Sequence, residues 1–290
     1  MQTVVGRVVL SIMLWIGQLY PLARGNRSTA RKSLRTIEAS GRKVKVRIFT
    51  PRTSARGVIL DLHGGGWTIG NARMSDGENG AFAQRNSLAV VSIDYRLALT
   101  NPISTSVDDC ETAALWLIEH AETEFGTREI IVKGSSAGAH LAALMILRLR
   151  DAGRLSDVIK GLVLYFGLYD FSGTGMVRAA GSDNLLLHGP TVRSTLRKLT
   201  PHMTDEERHA PSISPVYGDL SSLPPALFLV GDKDMLLEDN QRMEARWRAA
   251  NGNSSLLVVP ESPHAFNRLP TAIARKVDRF VDRWMLERLS

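Results

Sequence analysis

The sequence predicts an α/β fold: a mostly parallel central sheet flanked by helices, with a helical cap. Three observations carry the prediction. Short apolar or β-branched runs alternate with segments of helical periodicity, the order of repeated βα units. The chain has 290 residues, 44% apolar and 22% charged, which suits one large soluble domain whose core closes without cross-links. One long stretch, residues 168 to about 223, is rich in Gly, Pro, Ser and Thr and has no strand pattern. A structureless loop of that length is improbable, so it reads as a helical insertion above the sheet.

The elements follow in order. "KVKVRIF" (43–49) alternates with period two, as an edge strand does; "GVILDLH" (57–63) and "LAVVSIDY" (88–95) read as buried strands. "VDDCETAALWLIEHAE" (107–122) is a helix by its apolar spacing, and "EIIVKG" (129–134) is a strand leading into the helix "SAGAHLAALMILRLR" (136–150). "IKGLVLYFG" (159–167) is the strand before the insertion. After it come "PALFLVG" (225–231), a helix from about 236 to 250, the strand "SSLLVVP" (254–260) and a last helix from about 271 to 289. The division is therefore an N-terminal segment (1–40), a core (41–167 and 224–290) and a helical insertion (168–223).

Around the N-terminal segment "VVGRVVLSIMLWIGQLYPLARG" (4–25), Thr3, Arg7, Ser11 and Gln18 fall on one side of a helical wheel, leaving a wide apolar face. Its apolar stretch is short for a membrane span and lacks a small-x-small cleavage site. It is read as lying on the protein's own body, with peripheral membrane contact as the alternative. The net charge is +7, and Arg24, Arg27, Arg31, Lys32, Arg35, Arg42, Lys43, Lys45 and Arg47 crowd one region against Glu38 alone. No nucleic-acid recognition signature accompanies them, so the run reads as a solvated face and no nucleic-acid partner is expected. Cys110 is the only cysteine and no Cys/His cluster has zinc spacing, so neither a metal nor a cofactor is expected. The cytoplasm is the expected compartment, with membrane association and a homodimer left open.

The chemistry starts at "GSSAG" (134–138), between a strand and a helix. A serine presented by so tight a turn needs tiny neighbours two residues before and after it. Ser136 meets this with Gly134 and Gly138; Ser135, flanked by Lys133 and Ala137, does not and is a spacer beside the hydroxyl. Serine is a poor nucleophile without a base and a group to orient that base. Of the seven histidines, His264 in "ESPHAFNR" lies between the last strand and last helix. His140 points back along the helix after Ser136 and reads as packing or surface. His120 is late in a helix, and His188, His202 and His209 lie in the insertion. The acid should follow an intervening strand: "GDKDMLLED" offers Asp232 and Asp234, with Asp234 preferred, while Glu238 and Asp239 read as helical residues facing solvent or capping. "HGGGW" (63–67) follows a buried strand. Its glycines suit backbone N–H groups that must approach a ligand, so Gly65, Gly66 and Ala137 are expected to hold an oxyanion, with His63 structural. Phosphate-loop patterns are absent.

"HGGGW", "DYRLA" (94–98), "VDDCETAALWL" (107–117), "GSSAG", "GDKDMLLED" and "PHAF" occur in one order that resembles the hormone-sensitive-lipase-like family of α/β-hydrolase esterases over residues 43–289. The resemblance implies Ser136, Asp234 and His264 as a catalytic triad, Gly65, Gly66 and Ala137 as the oxyanion hole, and a cap built from the N-terminus and the insertion. Three positions depart from the family pattern: Ser135 before the nucleophile, Leu99 and Thr100 after "DYRLA", and Ala265 after the base. The expected activity is serine-esterase hydrolysis of a small-molecule ester with a short or medium acyl chain, with Trp67 and Ser135 at the substrate. A non-catalytic binding protein on the same fold and a membrane-associated lipase or deacylase are the alternatives.

Overall fold

The computed structural model describes residues 30–184 and 186–289. The chain opens on β1 (Arg31–Ala39), which a two-residue turn joins to β2 (Arg42–Thr50). Ser40 and Gly41 both have positive φ, at 51° and 72°, the turn geometry that matches the twist of a hairpin. Two expectations change here. Residues 31–39 belong to the sheet and not to the cap, and the edge strand is β1, since β2 lies between β1 and β4. In β1 only Ile37 and Ala39 are buried, so its charged outer residues conceal the period of two. Lysine and arginine on an outermost strand also discourage edge-to-edge pairing.

The remaining strands are β3 (Val58–Leu62), β4 (Ala89–Asp94), β5 (Ile130–Ser135), β6 (Ile159–Tyr165), β7 (Ala226–Gly231) and β8 (Ser254–Val259). They form one eight-stranded sheet in the order β1-β2-β4-β3-β5-β6-β7-β8. β1/β2 and β2/β4 are antiparallel; every pair from β4 to β8 is parallel.

Seven α-helices are described: α1 (Asp76–Asn86), α2 (Ile103–Phe125), α3 (Ala137–Asp151), α4 (Gly175–Ala179), α5 (Gly189–Leu199), α6 (Leu237–Asn251) and α7 (Ala272–Leu286). Alternation along the strands divides the core. Val58, Leu60 and Leu62 of β3 pack with α2, α3 and α6; Ile59 packs on the other face with Phe82 of α1 and Val277, Val281 and Trp284 of α7. The sequence "DGENGAFAQRN" of α1 holds two glycines and little apolar periodicity, and it was not anticipated. Acids on α1 and α2 answer much of the basic run: Arg47 and Lys32 pair with Asp76, Arg35 with Glu124, and Arg42 with Asp108 and Glu111.

The insertion carries α4, α5 and single 3-10 turns at Glu207–His209 and Pro215–Tyr217, with no strand among its described residues. Both its ends are clipped to α6. Asn240 exchanges two hydrogen bonds with the Gly167 backbone (3.3 and 3.0 Å), and Asn251 accepts from Leu223 N–H (2.9 Å) and donates to Leu220 O (2.6 Å). Of the two readings for Asp239 and Glu238, facing solvent or capping, the structure favours capping of backbone N–H groups. The Asp239 carboxylate is buried and accepts from the Tyr169 and Asp170 N–H groups and from Thr174 Oγ1; Glu238 accepts from Met176 N–H. Among the described residues no helix is long and apolar enough to cross a membrane. The helix expected in the N-terminal segment 4–25, and the cap reading of residues 1–29, fall outside the described residues.

Candidate active site

Ser136 stands alone between β5 and α3 with φ 54° and ψ −119°, a conformation costly for any residue with a Cβ. Close packing holds it there. A Cβ on Gly134 would sit 2.7 Å from the Ala139 Cα, and one on Gly138 would overlap the carbonyls of Leu62 and His63. The two glycines therefore let β5, α3 and the end of β3 meet with no side chain between them. Ser136 N–H donates to Tyr165 O on the neighbouring strand (2.8 Å), which fixes the turn to the sheet.

The loop after β8 brings His264 to this serine. Its Nε2 lies 3.1 Å from Ser136 Oγ, and its Nδ1 lies 2.7 Å from Asp234 Oδ2. With a carboxylate on Nδ1, that nitrogen carries the proton and Nε2 accepts from the hydroxyl. Asp234 is 1% exposed, and its other oxygen accepts from Leu236 N–H (3.0 Å). Asp232 does not touch His264. Its carboxylate accepts from Ser262 N–H (3.2 Å) and pairs with Lys233, ordering the loop two residues before the imidazole. Phe166, itself at φ 38°, sets its ring against His264 with centroids 4.6 Å apart.

"HGGGW" runs beside the serine: a Cβ on Gly64 would come 2.9 Å from Ser135 O and 3.3 Å from Ser136 Cβ. Gly65 has φ 131° and Gly66 φ 56°. The Gly65 carbonyl accepts from the Thr68 and Ile69 N–H groups, and a Cβ on Gly65 would overlap Ile69 O. Ala137 N–H opens α3 and has no partner within the helix. His63 braces the loop from below. It stacks on Tyr95 with centroids 4.1 Å apart, its Nδ1–H donates to Gly64 O (2.7 Å), and Tyr95 O–H donates to His63 O (2.8 Å). Burial holds the His63 imidazole below its ordinary pKa, keeping it neutral.

One expected role changes. Trp67 is only 4% exposed, so it offers a substrate little surface. Its indole N–H donates to His140 Nδ1 (3.1 Å), and Phe171 of the insertion packs against both rings. His140 in turn donates from Nε2 to Ile213 O (2.7 Å), so it is a strut between the glycine loop and the insertion. Burial pushes its pKa down to about 4, and the neutral ring can accept on one nitrogen and donate on the other. Ser135 is half-buried at the end of β5, opposite Tyr165. The other histidines lie elsewhere: His120 bonds Trp116 O, His188 caps α5 and His209 bonds Ser172. Among the described residues no cluster of His, Cys, Asp or Glu could hold a metal ion.

A family model described as the alpha/beta hydrolase fold matches residues 59–268. The carboxylic ester hydrolase LipN of Mycobacterium tuberculosis is 32% identical over 73% of this chain and 57% of LipN, so the chain spans little more than half the length of that relative. Among solved structures, a hyperthermophilic esterase from Pyrobaculum calidifontis superposes with a TM-score of 0.85 at 23% identity, covering 97% of this chain and 92% of that one. The HSL-homolog EstE7 from a metagenome library superposes at 0.81 with 25% identity, covering 98% and 99%.

Proposed function

Because the chain belongs to the α/β-hydrolase-fold family, in the hormone-sensitive-lipase-like group that its motifs resemble, we propose that it is a serine carboxylesterase acting on short- to medium-chain acyl esters. The observation that carries the reading is the hydrogen-bonded series Ser136–His264–Asp234, with Ser136 on a strained turn. In this reading His264 Nε2 takes the Ser136 proton as Oγ attacks the ester carbonyl. Asp234 keeps the imidazole in the productive tautomer and stabilises the imidazolium. The N–H groups of Gly65, Gly66 and Ala137 hold the oxyanion, His264 then protonates the leaving alcohol, and water releases the acyl group by the same steps.

A missing or displaced His264 or Asp234 would favour the non-catalytic alternative; their hydrogen bonds to each other and to Ser136 support the catalytic reading. A series of p-nitrophenyl esters of increasing acyl length, measured with wild type and Ser136→Ala, tests the proposal. Turnover greatest at short or medium chains and absent from the variant supports it. Turnover of no ester, or full activity in the variant, overturns it.

A further inference from the structure

Two charges lie between the sheet and α1, near the ends of β3 and β5 that lead into the site. Asp61 of β3 and Lys133 of β5 are 3% and 7% exposed, and the parallel register sets them side by side with Nζ 3.2 Å from Oδ1. Asn79 and Ser92 each donate to Asp61 Oδ2 at 2.8 Å, and Lys133 also reaches Glu78 at 3.7 Å and the Phe82 ring. Burial alone would raise the Asp61 carboxyl, but Lys133 and the two donors hold it below its ordinary range. Lys133, pushed down by burial, is raised on balance by Asp61 and Glu78. Both stay charged.

Stability is a poor reason for such a pair, since well-packed apolar residues serve as well or better in a buried site. Its position suggests another. The register continues as Leu62 opposite Gly134. Beyond that pair the strands become His63-Gly64-Gly65 on one side and Ser135-Ser136 on the other. Oxyanion donors must stand within a few tenths of an ångström of their target, whereas one residue along a strand is about 3.3 Å. Any relaxation of β3 against β5 separates two buried charges and is resisted. Arg268, four residues after His264, bonds Ser75 Oγ (3.2 Å), and its charge is felt at both Lys133 and His63.

We infer that Asp61 and Lys133 are positioning residues for ester hydrolysis, fixing the height of the glycine loop relative to Ser136. This rests on the esterase reading. The test is the apolar double variant Asp61→Leu/Lys133→Met beside Lys133→Arg, assayed on an aryl butyrate. The inference expects the double variant to fold, with kcat reduced about tenfold or more and KM within about threefold, the signature of lost transition-state interactions. Lys133→Arg, which keeps the charge, should recover most of kcat. Wild-type kinetics in the folded double variant, or loss of its fold, would assign the pair no part in positioning and overturn the inference. Failure of the esterase reading is separately visible, because wild type itself would then hydrolyse no ester.

Discussion

Residues 134–138 and the insertion, residues 168–223, both leave the sheet at the carboxyl end of a strand, yet they are held by opposite means. The turn is held by exclusion: Gly134 and Gly138 leave no room for a methyl group, and Ser136 N–H is tied to the adjoining strand. The insertion is held by side chains. Asp239, Glu238 and Asn240 of α6 grip residues 167–176, Arg242 and Tyr217 meet on Asp170, and His140 reaches Ile213. A sterically held segment has one position and no dependence on pH. One held by titratable groups loosens by degrees.

The largest expected effect lies in the turn. Ser136→Ala should keep the fold and lose kcat by roughly 10⁴-fold or more, with no labelling by a fluorophosphonate. Gly138→Ala, which drives a methyl into the Leu62 and His63 carbonyls, should yield little folded protein by circular dichroism. Next is Asp234, proposed to orient His264. Asp234→Asn should lower kcat by up to about 10⁴-fold by upsetting the His264 tautomer, and Asp232→Asn, which only slackens the loop through Ser262, by under about tenfold. Equal losses in the two would show that loop order matters as much as the carboxylate on the imidazole.

The insertion should respond to pH. Burial, the chief cause, pushes the Asp239 carboxyl from its ordinary 3.8 up to about 7. The folded state thus holds a proton that the unfolded chain gives up near pH 4, so this group's stabilisation is complete below about pH 4 and is lost as pH rises through 7. Melting curves between pH 4 and 8 should show Asp239→Asn flattening that decline, by roughly 4 kcal/mol at most. An unchanged slope would move the pH sensitivity to another group. The smallest effect is at Ala265, which sits at φ 56° beside His264. Ala265→Gly removes a left-handed strain of about 1 kcal/mol, partly offset by the entropy of the unfolded glycine. It should raise the melting temperature by about 1 °C or less, with activity held within about twofold.

This contrast also explains what could be read from the chain alone. The turn was legible because its constraint is local: glycines two residues either side of a serine, between a β-branched run and a helical one, state their geometry in five letters. His264 and Asp234 were legible through strand order. Asp61 and Lys133 were not, because each looks like an interruption in an apolar strand and becomes meaningful only beside a partner 72 positions away in the register of β3 and β5. Asp239 was legible only as a helical acid facing solvent or capping, for the same reason, its partners being backbone N–H groups about 70 residues earlier. β1 was missed because exposed charges outnumber its two buried residues, and α1 because glycines dilute its periodicity.

The two asparagine clips on α6 have an evolutionary consequence. Asn240 fastens Gly167, just before the insertion, and Asn251 fastens Leu220 and Leu223 at its end, both from a single helix, while Phe171, Val177 and Leu196 between them pack into the core. Lengthening a flexible connection between fixed ends costs little, about 0.6 kcal/mol for each doubling. The exposed connections between the clips can therefore drift in length and composition at little cost to the site beneath, as long as Phe171 and Ile213, which brace Trp67 and His140, are kept.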